Sequence, residues 1–371
     1  MIRDRGRRVP LARRHLFAEP RRLAAAVSGV GLALMLILLL DGLWAGVQDQ
    51  VTMYIDNAGA DLYVAERGSR NFLAGASTIP VEVADDAAAD PDVEWATPVR
   101  GLFSILDLHG KKVPAYMVGS VPGRPGGAWS MKTGRAPRAL NEVVVGDLIQ
   151  RRHGVEPGDR IEILGRPFGV VGVADASTFM TSFVFITHEA SDELLQTPGT
   201  TSFVLVRTDR PAAVRERLAA GGAYAVLDPS QLRESDRSVF TRAFGAPLRV
   251  MRLVAFAAGT LIIALTAFTS IAERRREYGI IKAMGAGLGR LVSVALGQTL
   301  MLAVLGLAAG AIFLVGGRQI IEWTRPQFLI VITAGSVART VVVALLMGTL
   351  AAVLPARRLA SLDPASAYGG G

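Results

Sequence analysis

The stretch LAAAVSGVGLALMLILLL, residues 23–40, holds eighteen consecutive residues without a charge. Wound as an α-helix, rising about 1.5 Å per residue, it is about 27 Å long. That is close to the roughly 30 Å of a bilayer's hydrocarbon core. Three further stretches share its character: one between Arg252 and Glu273, one between Arg290 and Arg318, and one from about Ala334 to Leu354, interrupted near its start by Arg339. A helix buried in a soluble core accounts for any one of them. It does not account for four in a chain of 371 residues that is 51% hydrophobic and 19% charged, with a mean hydropathy of +0.37, because a soluble domain must meet water with polar surface. A cleaved signal peptide fits the first stretch poorly: it is too long, and no small-residue cleavage site precedes Asp41 and Trp44. The reading is four membrane helices, over 23–47, 248–272, 290–317 and 334–355.

Charge gives the orientation. Residues 48–247 carry 20 Lys/Arg against 25 Asp/Glu, a balance of −5, while the rest of the chain carries +13. Basic flanks stay cytoplasmic. Arg3, Arg5, Arg7, Arg8, Arg13, Arg14, Arg21 and Arg22 precede the first span, Arg274, Arg275, Arg276, Lys282 and Arg290 lie between the second and third, and Arg357 and Arg358 follow the fourth. A four-helix topology puts all of these on one side, with both termini inside. Residues 48–247 and the short loop 318–333 then lie outside, leaving a cytoplasmic segment at 273–289 and a tail at 356–371. The same clustering explains the pI near 10.2 without nucleic acid, since the arginines have no interleaved stacking aromatics.

Along the chain, residues 1–22 form a basic N-terminus whose part from residue 10 reads as an interfacial helix. The external segment is punctuated and β-rich. Residues 99–119 predict a hairpin turning at His109-Gly110-Lys111-Lys112. Residues 142–146, 159–165, 167–175 and 183–187 predict strands, 147–154 a short helix, and 202–228 a strand–helix–strand run. The fold class is therefore an integral membrane helical protein with an α+β extracytoplasmic domain between its first two spans.

Few residues point to chemistry. There is no G-x-x-x-x-G-K-[ST], and His15, His109, His153 and His188 lack ligand spacing. The chain has no cysteine, so thiolate catalysis and Cys-ligated metals are excluded. No catalytic or metal-binding residue is assigned. Within the spans, Asp41 reads as an interfacial carboxylate, with an intramembrane functional acid as the alternative. Arg339 is expected to snorkel outward. Gly306 and Gly310 form a G-x-x-x-G pair, a candidate for membrane-dimer packing.

The most specific segment is Glu273-Arg274-Arg275-Arg276-Glu277-Tyr278-Gly279-Ile280-Ile281-Lys282-Ala283-Met284-Gly285-Ala286. It resembles the cytoplasmic E-R-R-x-E-[IY]-G-I segment of FtsX/MacB-type ABC transporter permeases. The tail PARRLASLDPA (355–365) is similar to that family's ending, and residues 141–173 look like its periplasmic domain. Among these permeases the chain looks most like the short four-helix, DevC-like forms. The resemblance implies a homodimer and a separate ABC ATPase, which would carry the ATP and Mg2+, with no cofactor in this chain. Residues 273–285 would be the ATPase-coupling segment. Arg276, Glu277 and Lys282 would form its polar side and Ile280, Ile281 and Met284 its apolar one.

Two functions follow from the resemblance. One is extrusion of a hydrophobic or amphipathic substrate (lipid, peptide, drug or haem-like) taken from the membrane lipid or the periplasm. The other is FtsX-like mechanotransmission that activates an external cell-wall hydrolase without transport. An extracytoplasmic adaptor, lipoprotein or hydrolase would be the outer partner. No histidine falls in a span to ligate haem, and nothing singles out Met35, Met251 or Tyr54 for that role.

Overall fold

The computed structural model describes residues 19–108, 110–178, 181–273, 275–284, 287–324 and 330–360. The interfacial helix expected from residue 10 lies mostly outside them, and Pro20–Arg22 form the first turn of a longer helix. The chain divides into two compact units. One comprises Met1–Ala45, Ala246–Ile321 and Ile330–Gly371, the other Gly46–Gly245 and Glu322–Leu329.

In chain order the elements are α1 (Pro20–Asn57), β1 (Leu62–Glu66), β2 (Ile79–Pro80), α2 (Val83–Ala88), β3 (Val93–Leu108), β4 (Lys111–Ser120), β5 (Met131–Gly134), β6 (Glu142–Gly146), α3 (Asp147–His153), β7 (Arg160–Ile163), β8 (Arg166–Ala174), β9 (Ser177–Thr178), β10 (Thr181–Thr187), α4 (His188–Leu195), β11 (Thr200–Thr201), β12 (Phe203–Thr208), α5 (Pro211–Ala219), β13 (Tyr224–Leu227), α6 (Pro229–Glu273), α7 (Arg275–Ala283), α8 (Leu288–Thr324), α9 (Ala334–Ala351) and α10 (Val353–Ala360).

The first unit is the membrane unit. Among the described residues four helices are long and apolar enough to cross a bilayer, yet only 28–39% of each span is buried within the protomer. Leu253, Leu261, Ile312, Val342 and Leu350 are more than half exposed, as lipid-facing residues are. Inward, Ala26, Val30, Leu34 and Ile37 repeat at helical spacing and meet Ile263, Leu302 and Met347 from the other three spans. Small residues let the backbones approach: a Cβ on Gly31 would lie 2.9 Å from that of Ala309, and one on Gly259 3.1 Å from that of Ala33. Hydroxyls in α6 hide their polarity on their own helix, Thr260 donating to Phe256 O and Thr266 to Ile262 O. The last span starts on a reciprocal cap, with Ser336 N–H on Thr333 Oγ1 at 3.0 Å and Thr333 N–H on Ser336 Oγ at 3.1 Å.

The second unit is the α+β domain. Strands β13, β1, β12 and β3 lie side by side, each pair antiparallel. With α2 between β1 and β3, and α5 between β12 and β13, this is a β-α-β-β-α-β sheet of ferredoxin-like order. Leu62, Val64, Val204 and Val206 bury one face against Val83 and Ala87 of α2 and Val214 of α5. Everything from β4 to β11 is inserted between the second and third strands of that sheet.

The insertion has its own core. Strand β3 runs sixteen residues, long enough to serve both parts. Its first half pairs with β12 and its end with β7. The pairings β3–β4, β4–β10, β10–β6, β6–β8, β8–β7 and β7–β3 close a ring. Alternating residues fill it, among them Leu106, Met117, Val145, Ile163, Phe168, Val170, Val184 and Ile186. A closed sheet has no free edge within the ring. The expected hairpin is present as β3–β4, although His109 lies outside the described residues.

Aromatic side chains cover the outer face of β4 and β10. Tyr116, Phe183 and Phe185 meet Phe72, Trp129 and Tyr54. Tyr54 stacks on Phe72 with centroids 4.2 Å apart and 8° between planes, and its hydroxyl donates to Gly126 O at 2.8 Å.

Candidate functional site

Helix α7 carries the segment expected to dock an ATPase. Tyr278 is 1% exposed and packs with Ile271 of α6 and Leu291 and Ala295 of α8. A single ring therefore pins α7 to the two membrane helices flanking it. Gly279 is also buried. Arg276 and Glu277 are exposed, Ile280 is 39% and Met284 75% exposed, and residues four apart share one stripe of a helix. The expected division is thus corrected. Ile280 and Met284 do not oppose the charges; they continue the stripe that Arg276 begins, and the inward anchor is Tyr278. The side chains of Arg275, Ile281 and Ala283 are not described, and Arg274 and Gly285 lie outside the described residues.

Glu273 belongs to a different arrangement. It ends α6, and its carboxylate accepts both contacts of Arg22 Nη1, at 2.6 and 2.8 Å. Arg22 Nη2 donates to Thr269 Oγ1. Glu273 is therefore engaged inside the protomer, clasping the start of α1 to the end of α6.

Gly306 and Gly310 need the second correction. A Cβ on Gly306 would meet Val30 Cγ1 at 2.3 Å, and one on Gly310 would meet Gly31 O at 2.8 Å. The pair is filled by α1 of the same protomer, so it offers no face to a second copy.

Asp41 is 6% exposed, unlike an open interfacial carboxylate. Arg252 Nη1 donates to its Oδ1 at 2.6 Å and Arg339 Nε to its Oδ2 at 3.3 Å. One carboxylate of α1 thus holds a guanidinium from α6 and another from α9. The approach of α9 is set one residue along, where Val331 N–H donates to Gly42 O at 3.0 Å and a Cβ on Gly42 would lie 3.0 Å from Ile330. In the sequence Asp41 and Arg339 stand far apart, and Arg252 marks the edge of a span. Their opposite charge at equal depth from the outer end was the available signal.

The extracytoplasmic domain has an open cleft of about 690 Å3 walled by residues 73–78, by Arg100–Phe103 of β3, and by Tyr116 and Leu195. Phe103 is 51% exposed there. Arg100 is buried, with Nη2 on Asp192 Oδ1 at 2.6 Å and Nη1 on Thr197 Oγ1 at 2.7 Å, so this charge is neutralised. His188 is spent in packing, its Nε2 3.2 Å from Thr201 Oγ1, and burial pushes its pKa below the ordinary imidazole value. Among the described residues no three His, Cys, Asp or Glu side chains converge as a metal site would require.

Comparison with known proteins matches residues 23–220 to the MacB-like periplasmic core domain and residues 249–364 to the FtsX-like permease C-terminal family. An uncharacterized ABC transporter permease of Mycobacterium tuberculosis is 24% identical over 94% of this chain and 96% of its own. One of Mycobacterium bovis is 23% identical over 94% and 96%. Among solved structures, the periplasmic region of MacB from Actinobacillus actinomycetemcomitans aligns at 13% identity and a TM-score of 0.36, over 49% of this chain and 94% of that one. The extracellular domain of the transporter YknZ from Gram-positive bacteria aligns at 13% and 0.37, over 46% and 100%.

Proposed function

The chain belongs to the FtsX/MacB-type family of ABC transporter permeases, and from that premise we propose that it couples ATP hydrolysis on a separate ATPase subunit to movement of its extracytoplasmic domain. It is a multi-pass protein of the cell membrane. The nucleotide and its magnesium belong to the partner, since this sequence has no P-loop.

One observation carries the coupling role. Helix α7 is fixed on its inner side by Tyr278 and presents Ile280 to solvent on the other, with Met284 exposed just past its end and bonded back to Ile280 O. Exposed apolar side chains at i and i+4 behind a charged turn suit a groove on a partner, with the apolar pair as anchor. Because Tyr278 packs on both α6 and α8, a push on α7 is delivered to two spans at once. The cycle works on a homodimer of this chain.

The cargo is a hydrophobic or amphipathic molecule extruded from the outer side. The open cleft with Phe103 and Leu102 on its wall supports export over mechanotransmission to a hydrolase, because a lever needs no such cavity. An external adaptor or lipoprotein would receive the cargo.

The test is Ile280→Glu with Met284→Glu in the full chain, assayed with the ABC ATPase that co-purifies with it. Stimulated ATP turnover is expected to collapse while the melting temperature holds. Undiminished stimulation, or a wild-type chain that recruits no ATPase, defeats the reading.

A further inference from the structure

We propose that Arg252 and Arg339, gathered on Asp41, form a seat for the phosphate headgroup of an anionic lipid in the outer leaflet. The inference goes beyond the coupling reading and uses only the membrane unit.

Depth comes first. Asp41 follows Leu23 by eighteen residues of unbroken helix, about 27 Å, which places it at the outer border of a hydrocarbon core roughly 30 Å thick. The two guanidiniums bonded to it lie at that level.

Charge comes next. A buried carboxylate needs one cation, and Asp41 has two. The triad therefore carries a net positive charge where charge is expensive to leave uncompensated. Arg249 stands one helical turn before Arg252 and is exposed. The positive-inside rule concerns the cytoplasmic flanks, so it gives no reason for these arginines at the outer end.

Availability and surroundings select the occupant. The Arg339 side chain is 63% exposed and that of Arg252 31%. Among the described residues Arg339 meets Asp41 through Nε, which leaves its two terminal nitrogens as a fork of the kind that pairs with phosphate oxygens. Around them Val250, Leu253, Val254 and Val342 are 55–65% exposed, a surface for acyl chains. A dissolved anion gains nothing from that apolar skirt, whereas a lipid fills both parts.

The experiment is native mass spectrometry of the full chain in detergent, titrated with phosphatidylglycerol, with diacylglycerol of the same tails, and with inorganic phosphate as competitor. Wild type should retain phosphatidylglycerol adducts that millimolar phosphate leaves in place. Arg339→Gln should weaken them about fivefold, the loss expected for one arginine at an anionic surface, while Arg357→Gln at the inner end should not. Asp41→Asn, which raises the local charge, should tighten them by a similar factor, and this variant decides the matter if Arg339→Gln does not fold. Unchanged binding in Arg339→Gln, weaker binding in Asp41→Asn, equal uptake of diacylglycerol, or displacement by phosphate would each overturn the proposal. No ATPase enters the measurement, so it stands or falls apart from the coupling role.

Discussion

Asp236 of α6 accepts the backbone N–H of Phe72 at 3.1 and 3.3 Å on its two oxygens, across 164 residues of chain. The Leu73 N–H adds a second donor at 3.4 Å. The carboxylate is fully buried, and desolvation outweighs these bonds, raising its pKa from 3.8 to about 7. A folded-state pKa above the unfolded value means that the native state holds the extra proton. Its contribution is present below about pH 4 and is lost as pH climbs through 7, on the order of a few kcal/mol. His188 contributes the opposite slope below about 6.5, so the comparison with Asp236→Asn isolates the effect. Thermal unfolding of the full chain, followed by tryptophan fluorescence from pH 5 to 8, should show wild type losing stability relative to the variant as pH rises. A constant difference would mean that Asp236 is ionised throughout.

The clasp between Arg22 and Glu273 predicts a reciprocal rescue. Both side chains are partly exposed, so breaking the pair should cost no more than about 1 kcal/mol. Arg22→Glu and Glu273→Arg should each lower the melting temperature slightly, and the double swap should restore it together with ATPase stimulation. A swap that regains stability without stimulation would return Glu273 to the docking surface.

Tyr278 should behave differently from its exposed neighbours on α7. Tyr278→Ala empties a cluster shared by three helices, and removal of a buried aromatic costs about 3–5 kcal/mol. Its melting temperature should fall sharply, with ATPase stimulation lost alongside. Tyr278→Phe keeps the ring and should retain most of both. If Tyr278→Ala melts like wild type, the ring is not what fixes α7.

The spans and their orientation were legible because each is written locally, as a run of apolar residues or as charges beside it. The pairings were not. Asp41 meets Arg252 and Arg339 across 211 and 298 residues, and nothing in either neighbourhood records the other. Gly306 and Gly310 show the same limit: the motif says that some backbone approaches, and only the fold reveals that it belongs to Gly31 of α1. In the outer domain the strands were visible singly, but ferredoxin-like order with a closed ring inserted in it depends on β3 continuing past one sheet into the next.

That packing makes Gly306→Val a sharp variant. Overfilling a close contact costs about 1–3 kcal/mol, and the Cβ alone already conflicts with Val30. The melting temperature should fall, while light scattering should give the same oligomeric mass as wild type. A stable protein of lower oligomeric mass than wild type would put the glycine pair back at an interface between copies.

Gln298 gives a prediction of opposite sign. It sits in the third span, 1% exposed, and among the described residues neither Oε1 nor Nε2 has a hydrogen-bond partner. Its neighbours one turn either side, Ala295 and Leu302, are packed apolar residues. An unsatisfied buried amide costs about 1–3 kcal/mol, and methionine has nearly the same length and no polar atom to strand. Gln298→Met should therefore raise the melting temperature of the full chain in detergent, where most core substitutions lower it. If the variant melts lower, the amide is hydrogen-bonded in the protein as it folds, and the packing of α8 around residue 298 differs from that described.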